Sequence, residues 1–480
     1  MLFNSIQFLV FFTAIVFLFF SLPHKTRWVL LLLGSYYFYM CWKVEYIFLI
    51  LLSTVIDYIA GLVIGATKRI SIKRIFLAFS LITNLGILFS FKYWNFFSDS
   101  VNQVAQSFNI FHSLPTYEIL LPVGISFYTF QTLSYTIDVY RGKKEPEKHL
   151  GIFALYVAFF PQLVAGPIER STHLMPQFHE EKSIDPRRFA SGLRLMAWGF
   201  FKKLVIADRL AAYVDTVYGN AGDFYGLPFW IATFFFAFQI YCDFSGYSDI
   251  AIGAAKILGY DLMTNFRRPY FAIDISDFWK RWHISLSTWF RDYVYIPLGG
   301  NKVRKSRWYL NLAITFLVSG LWHGAAWTFV IWGALHGFYL IMSILTVRLR
   351  QKLADISRLS RYPNFHRVFR ALITSTLAIY AWVFFRADGL DSALLVTRRL
   401  FDFSAGLSLQ GMVQNSTDFI IAWAAILVLL GVDLVVELME KYSGVRSFAL
   451  STRWLAYGML IFSILLFGVF NGQDFIYFQF

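Results

Sequence analysis

Two of the nine histidines, His283 and His323, fall in the stretch from Asp277 to Trp327, DFWKRWHISLSTWFRDYVYIPLGGNKVRKSRWYLNLAITFLVSGLWHGAAW. His323 stands between Trp322 and Gly324 inside the apolar run from Leu310 to Leu345, where an ionisable side chain is costly and is by default a functional candidate. An apolar setting favours the uncharged imidazole, and that form can accept a proton. The chemistry it suits is general-base catalysis, for instance taking the proton of a hydroxyl as it attacks a thioester. The plain alternative is a helix-packing histidine bonded to a neighbouring carbonyl. Gly320 and Gly324 flank it and leave room for backbone or substrate to approach.

His283 sits where Trp279, Trp282, Leu286, Trp289 and Tyr293 recur at helical spacing, while Asp277, Lys280, Arg281, Thr288 and Arg291 turn away. This pattern predicts one amphipathic helix at a membrane interface, on which a histidine can simply be wet. The next helix is expected over 308–321, about 14 residues, or roughly 21 Å of a roughly 30 Å hydrocarbon layer. His323 would then lie at a turn sunk below the outer surface.

The motifs RWHIS (Arg281 to Ser285) and LWHGAAW (Leu321 to Trp327), with DYVYIPLGGN between them, resemble those of the membrane-bound O-acyltransferase family. Four further segments resemble its bacterial branch associated with alginate O-acetylation: PVGISFYTFQTLSYTIDVYRG from Pro122, FFPQLVAGPIER from Phe159, YCDFSGYSDIAIG from Tyr241 and FIYFQF from Phe475. The resemblance implies a polytopic helical fold with a central tunnel, His323 as catalytic base, and His283 positioning the donor or polarising its carbonyl. It implies a tunnel lining drawn from Trp279, Arg281, Trp282, Ser285, Gly320, Trp322 and Asp243. It also implies an acetyl group taken from cytoplasmic acetyl-CoA, a substrate and not a resident cofactor. The acetyl group would be delivered to an extracytoplasmic polysaccharide, or to a partner acetyltransferase that modifies one, from the inner membrane. Relatives that act on peptidoglycan, or move D-alanine onto teichoic acid, are the neighbouring alternatives.

Composition sets the frame for these residues. Hydrophobic residues fill 58% of the 480 positions, 54 of them Phe, and only 15% are charged, which excludes a soluble domain. The net charge of +14 could suggest nucleic acid, but the basic residues fall in short loops between apolar runs, as in cytoplasmic loops of a membrane protein. The two cysteines, Cys41 and Cys242, lie far apart in sequence without a second ligand pattern and suggest neither a disulfide framework nor a zinc site; no HExxH, P-loop or GxSxG occurs, and no metal is expected.

Apolar runs near 3–22, 28–42, 46–65, 75–91, 119–139, 150–165, 193–218, 228–259, 371–385, 418–438 and 454–470, with those around His323, predict an all-α protein. It is read as one integral membrane domain over 1–480 with roughly 11 to 13 transmembrane or re-entrant helices. Lys and Arg concentrate in loops 23–27, 66–74, 141–148 and 265–307, whereas the loops that alternate with the first three hold only Lys43 and Lys92. This places both termini outside and the His283 stretch inside. The cluster Arg267, Arg268, Lys280, Arg281 and Lys302 could attract the phosphates of coenzyme A, or anionic lipid, or merely obey the positive-inside bias.

Two features admit other readings. Gln239, Asp243, Ser245 and Asp249 put polar groups on one membrane helix, which reads first as structural hydrogen bonding between helices and is also the feature on which a secondary transporter or exporter would rest. His336 lies in an apolar run outside both motifs and reads as packing or as a further tunnel residue. His24, His112, His149, His173, His179 and His366 read as solvated.

Overall fold

The computed structural model describes residues 1–109, 113–118, 120–164, 166–404, 406–441, 450–470 and 475–476. His112, Arg446 and most of the C-terminal FIYFQF segment lie outside them. The chain is 76% helical with no strand among the described residues, as its long apolar runs require. Among the described residues, six helices are long and apolar enough to cross a bilayer: Val44–Ala66, Ile70–Ser107, Leu227–Ile257, Trp327–Leu345, Pro363–Arg386 and Ser416–Lys441. This is an all-α, multi-pass membrane protein. The other apolar helices, such as Ile125–Tyr140, Leu150–Ala158 and Lys305–His323, are shorter or more polar.

The described residues gather into two compact units, 1–196 with 248–263, and 197–247 with 264–480. In the first, the predicted span 75–91 does not stop at Lys92. It passes through a π turn at Phe89–Tyr93 and continues to Ser107. This unit also holds a fully buried carboxylate, Asp57, whose oxygens accept from Asn84 Nδ2 and Thr136 Oγ1, both at 2.7 Å, and from the Ser80 hydroxyl. A carboxylate this well hydrogen-bonded is a structural knot between helices.

The second unit holds both histidines, and here two expectations are corrected. The stripe from Trp279 to Tyr293 is not one interfacial helix. It is two short helices, Ile275–Arg281 and Ile284–Phe290, followed by a π turn at Arg291–Tyr295. The break has a cause. Residues 265–267 run alongside and take the backbone bonds that would have continued the helix: Arg267 N–H donates to Arg281 O, and Ile284 N–H to Asn265 O, both at 2.9 Å. The second correction concerns the helix before His323. It runs from Lys305 to His323, 19 residues or about 28 Å, so His323 is its last residue and not part of a turn beyond it.

That helix packs against Trp327–Leu345 through glycines. A Cβ on Gly320 would strike the carbonyl oxygen of Phe329 and come within 3.1 Å of Gly333 Cα, and one on Gly333 would strike the carbonyl of Phe316. The two backbones approach closely because neither carries a side chain there.

Candidate functional site

His283 is the residue around which the broken helix turns. Its backbone is left-handed (φ +42°), an uncommon conformation for a residue with a Cβ, and its side chain is fully buried. The Oδ1 of Asn265 faces three donors: His283 Nδ1 at 3.0 Å, Ser285 Oγ at 3.0 Å and the backbone N–H of Ser285 at 3.3 Å. A backbone N–H can only donate, so the Asn265 atom facing it is the oxygen, and His283 must carry its proton on Nδ1. The lone pair is thereby left on Nε2. The segment lies outside the six candidate spans, and burial pushes the imidazole down to about 3. His283 is thus a neutral ring of fixed tautomer and not a wet interfacial one.

His323 is 2% exposed. Its ring centre lies 6.4 Å from that of His283, 4.9 Å from Trp322, 4.8 Å from Trp332 and 5.5 Å from Phe385. Trp322 also lies 6.1 Å from His283. Two imidazoles that sequence separates by two helices and a π turn share one aromatic enclosure. One has its proton locked, and the other is the last residue of the helix Lys305–His323. The arrangement suits proton transfer in a site sheltered from bulk water.

The sequence profile of the MBOAT, membrane-bound O-acyltransferase family, matches residues 149–383. A probable alginate O-acetylase from Azotobacter vinelandii is 41% identical over 406 residues, 84% of this chain and 78% of that one. The chain belongs to the membrane-bound O-acyltransferase family. A peptidoglycan O-acetyltransferase from Helicobacter pylori is 36% identical over 416 residues, 81% of this chain and 76% of that one. A teichoic acid D-alanyltransferase from Streptococcus thermophilus is 31% identical over 245 residues, 48% of this chain and 58% of that one.

The remaining expected site residues of this O-acyltransferase fall into distinct places. Trp282 is fully buried, with Phe266 and Trp382 at 5.1 and 4.9 Å. Ser285 is consumed in fixing Asn265, and Gly320 is filled by the neighbouring helix backbone. Trp279 packs on Phe316, Trp332 and His336.

Arg281 is drawn into an ion-pair cluster: it reaches Asp277 at 3.0 Å and Glu437 at 3.0 and 3.2 Å. Glu437 also receives Arg268 at 2.9 Å and Arg367 at 3.1 Å. Two of the five cations read as a possible phosphate site are therefore engaged by carboxylates.

Asp243 lies 2.7 Å from Lys203 Nζ, which also reaches Asp208 at 2.8 Å, and its second oxygen accepts from the Ile476 backbone N–H at 2.7 Å. That ties the π turn at Phe201–Ala207 to the long helix and to the C-terminal segment.

Sequence reading missed Asn265, Trp332 and Phe385. Asn265 lay among arginines that drew attention to charge. His336, fully buried, stacks among Trp279, Trp332 and Phe278 at 5.0, 4.9 and 6.0 Å, with no hydrogen-bond partner for either ring nitrogen among the described residues. Trp332 touches both His323 and His336.

Proposed function

We propose that this enzyme transfers an acetyl group from cytoplasmic acetyl-CoA to an exopolysaccharide such as alginate on the far side of the inner membrane, directly or through a partner acetyltransferase. His323 acts as the base. In the transfer, a hydroxyl oxygen of the acceptor attacks the thioester carbonyl while His323 takes its proton. The C–O bond forms, the C–S bond breaks, and the proton passes to the departing thiolate of coenzyme A.

The observation that carries this reading is the enclosure itself: two buried imidazoles with ring centres 6.4 Å apart, one held neutral with a defined tautomer, in a chain similar over 84% of its length to a probable alginate O-acetylase. Because His323 is 2% exposed, catalysis requires a tunnel to it from each face. Trp322, Trp332 and Phe385 are the side chains that must part or border it.

A peptidoglycan acceptor is the second reading, supported by the Helicobacter relative at 36% identity over a similar extent. The D-alanyl relative matches 48% of the chain and supports D-alanyl transfer to teichoic acid less. Transport coupled through Asp243 has less support, since that carboxylate is held by Lys203 and by a backbone N–H.

The test is direct. Purified protein given acetyl-labelled acetyl-CoA and acceptor releases free coenzyme A, and His323→Ala abolishes release while leaving folding and membrane insertion intact. Gradient-driven solute uptake that survives His323→Ala would overturn the proposal. Release unchanged in that variant would do the same.

A further inference from the structure

The second unit carries a groove of about 1020 Å³ that the acyl-transfer site does not use. That is at the top of the range for ligand sites, roughly 300–1000 Å³. Two of its walls are the membrane-crossing helices Trp327–Leu345 and Pro363–Arg386, which contribute Leu340, Ile344, Phe369 and Ile373. Trp308 and Leu312 of the helix Lys305–His323 line it as well, and a further wall is the short helix Val347–Ile356, VRLRQKLADI. Leu353 and Ile356 of that helix line the groove yet are 54% and 69% exposed, and Phe369 and Ile373 opposite are 43% and 46% exposed. An apolar trough this open is unfavourable against water and natural against acyl chains.

Charge identifies the headgroup. The stretch 347–370 holds Arg348, Arg350, Lys352, Arg358, Arg361, Arg367 and Arg370 against the single acid Asp355. Arg350, His366 and Arg370 stand in the groove wall. Arg350 is steered there by donating through Nη2 to the Ser343 backbone carbonyl and, at 3.3 Å, to the Ser343 hydroxyl. Arg370 Nη2 reaches the one lining acid, Asp274, at 3.2 Å, which offsets that negative charge. Amphipathic, basic and placed between two spanning helices, the groove combines an apolar floor with a cationic rim at the end of the bundle that the basic loops mark.

We propose that this groove is a binding site for an anionic phospholipid, with an acyl chain along Leu353, Ile356 and Phe369 and the phosphate beside Arg350. The site is independent of the acyl-transfer chemistry and wedges the Val347–Ile356 helix against its two spanning neighbours.

The test uses the full-length protein purified in detergent, delipidated, and titrated with phosphatidylglycerol or phosphatidylcholine, with retained lipid read by mass spectrometry of the intact complex. Phosphatidylglycerol is expected to be retained in preference and to raise the unfolding temperature. Arg350→Gln lowers that preference about fivefold. Ala354→Phe, which fills the groove without touching charge, reduces retention of both lipids; should it unfold the protein, Ser357→Leu at the same wall serves instead. Equal retention of the two lipids overturns the proposal. So does an unaltered preference in Arg350→Gln, unaltered retention in the filled variant, or displacement of phosphatidylglycerol by coenzyme A, which would reassign the groove to the acyl donor.

Discussion

The Nδ1–H of His283 donates to Asn265 Oδ1 over 3.0 Å, and the same oxygen accepts from the backbone and hydroxyl of Ser285. One amide therefore sets the tautomer of a buried imidazole and closes the turn that presents it. Asn265→Leu removes the acceptor and leaves those donors buried without it. Turnover of acetyl-CoA is expected to fall at least about tenfold. Asn265→Asp, which restores an acceptor at the same place, recovers part of it. Loss of unfolding temperature with no recovery of turnover in the aspartate variant argues for a purely structural role.

Acid should destabilise this protein partly through His283. Its folded-state value, about 3, lies below the ordinary histidine value of 6.5 because burial disfavours the charged ring. Between those limits the unfolded chain binds a proton that the folded chain does not, so stability is complete above about pH 6.5 and drains away as pH falls toward 3. The loss at pH 5 is on the order of 2 kcal/mol. Unfolding temperatures in detergent at pH 7 and pH 5 measure it, and His283→Asn is expected to show the shallower dependence.

The glycine contact between the two central helices leaves no room for a methyl group. In Gly333→Ala the new Cβ meets the Phe316 carbonyl and stands 3.1 Å from Gly320 Cα, three residues before His323. Separating the backbones costs about 1–3 kcal/mol, and the shift is transmitted along the helix to the imidazole. Both a lower unfolding temperature and reduced coenzyme A release are expected. An unchanged turnover in a destabilised variant would show that the helix end is held independently, by Trp332 and Phe385.

His336 is a different case, buried among aromatic rings with both nitrogens unpartnered among the described residues. Replacing such a group by an apolar ring of similar shape is close to neutral or stabilising. His336→Phe is expected to keep turnover within about threefold and to hold or raise the unfolding temperature. A tenfold or larger loss of turnover would mean that the ring handles substrate.

How much of this was readable beforehand follows from the physics of each feature. Long apolar runs predict spanning helices well because the bilayer allows few other structures, and the runs ending near residues 42, 65, 259, 385 and 438 form helices that end at Met40, Ala66, Ile257, Arg386 and Lys441. His323 stood out because an ionisable group amid Leu, Phe and Trp is conspicuous. The break at His283 was not legible: the stripe of Trp279, Trp282, Leu286 and Trp289 has helical period, and only pairing with residues 265–267, a tertiary fact, interrupts it. Asn265 and Phe385 escaped for the same reason, since partners distant in sequence define their roles. The basic cluster misled in part because Glu437, 169 and 156 residues further along the chain, pairs with Arg268 and Arg281.

The left-handed backbone at His283 bears on how any substitution there behaves. Alanine at this position would delete the imidazole and keep the strain that a Cβ at φ +42° already imposes on the native histidine, about 1 kcal/mol that belongs to the main chain and not to catalysis. Glycine relieves that strain and asparagine tolerates it. The difference between alanine and those two therefore reports conformational tension, and the loss they share reports the ring.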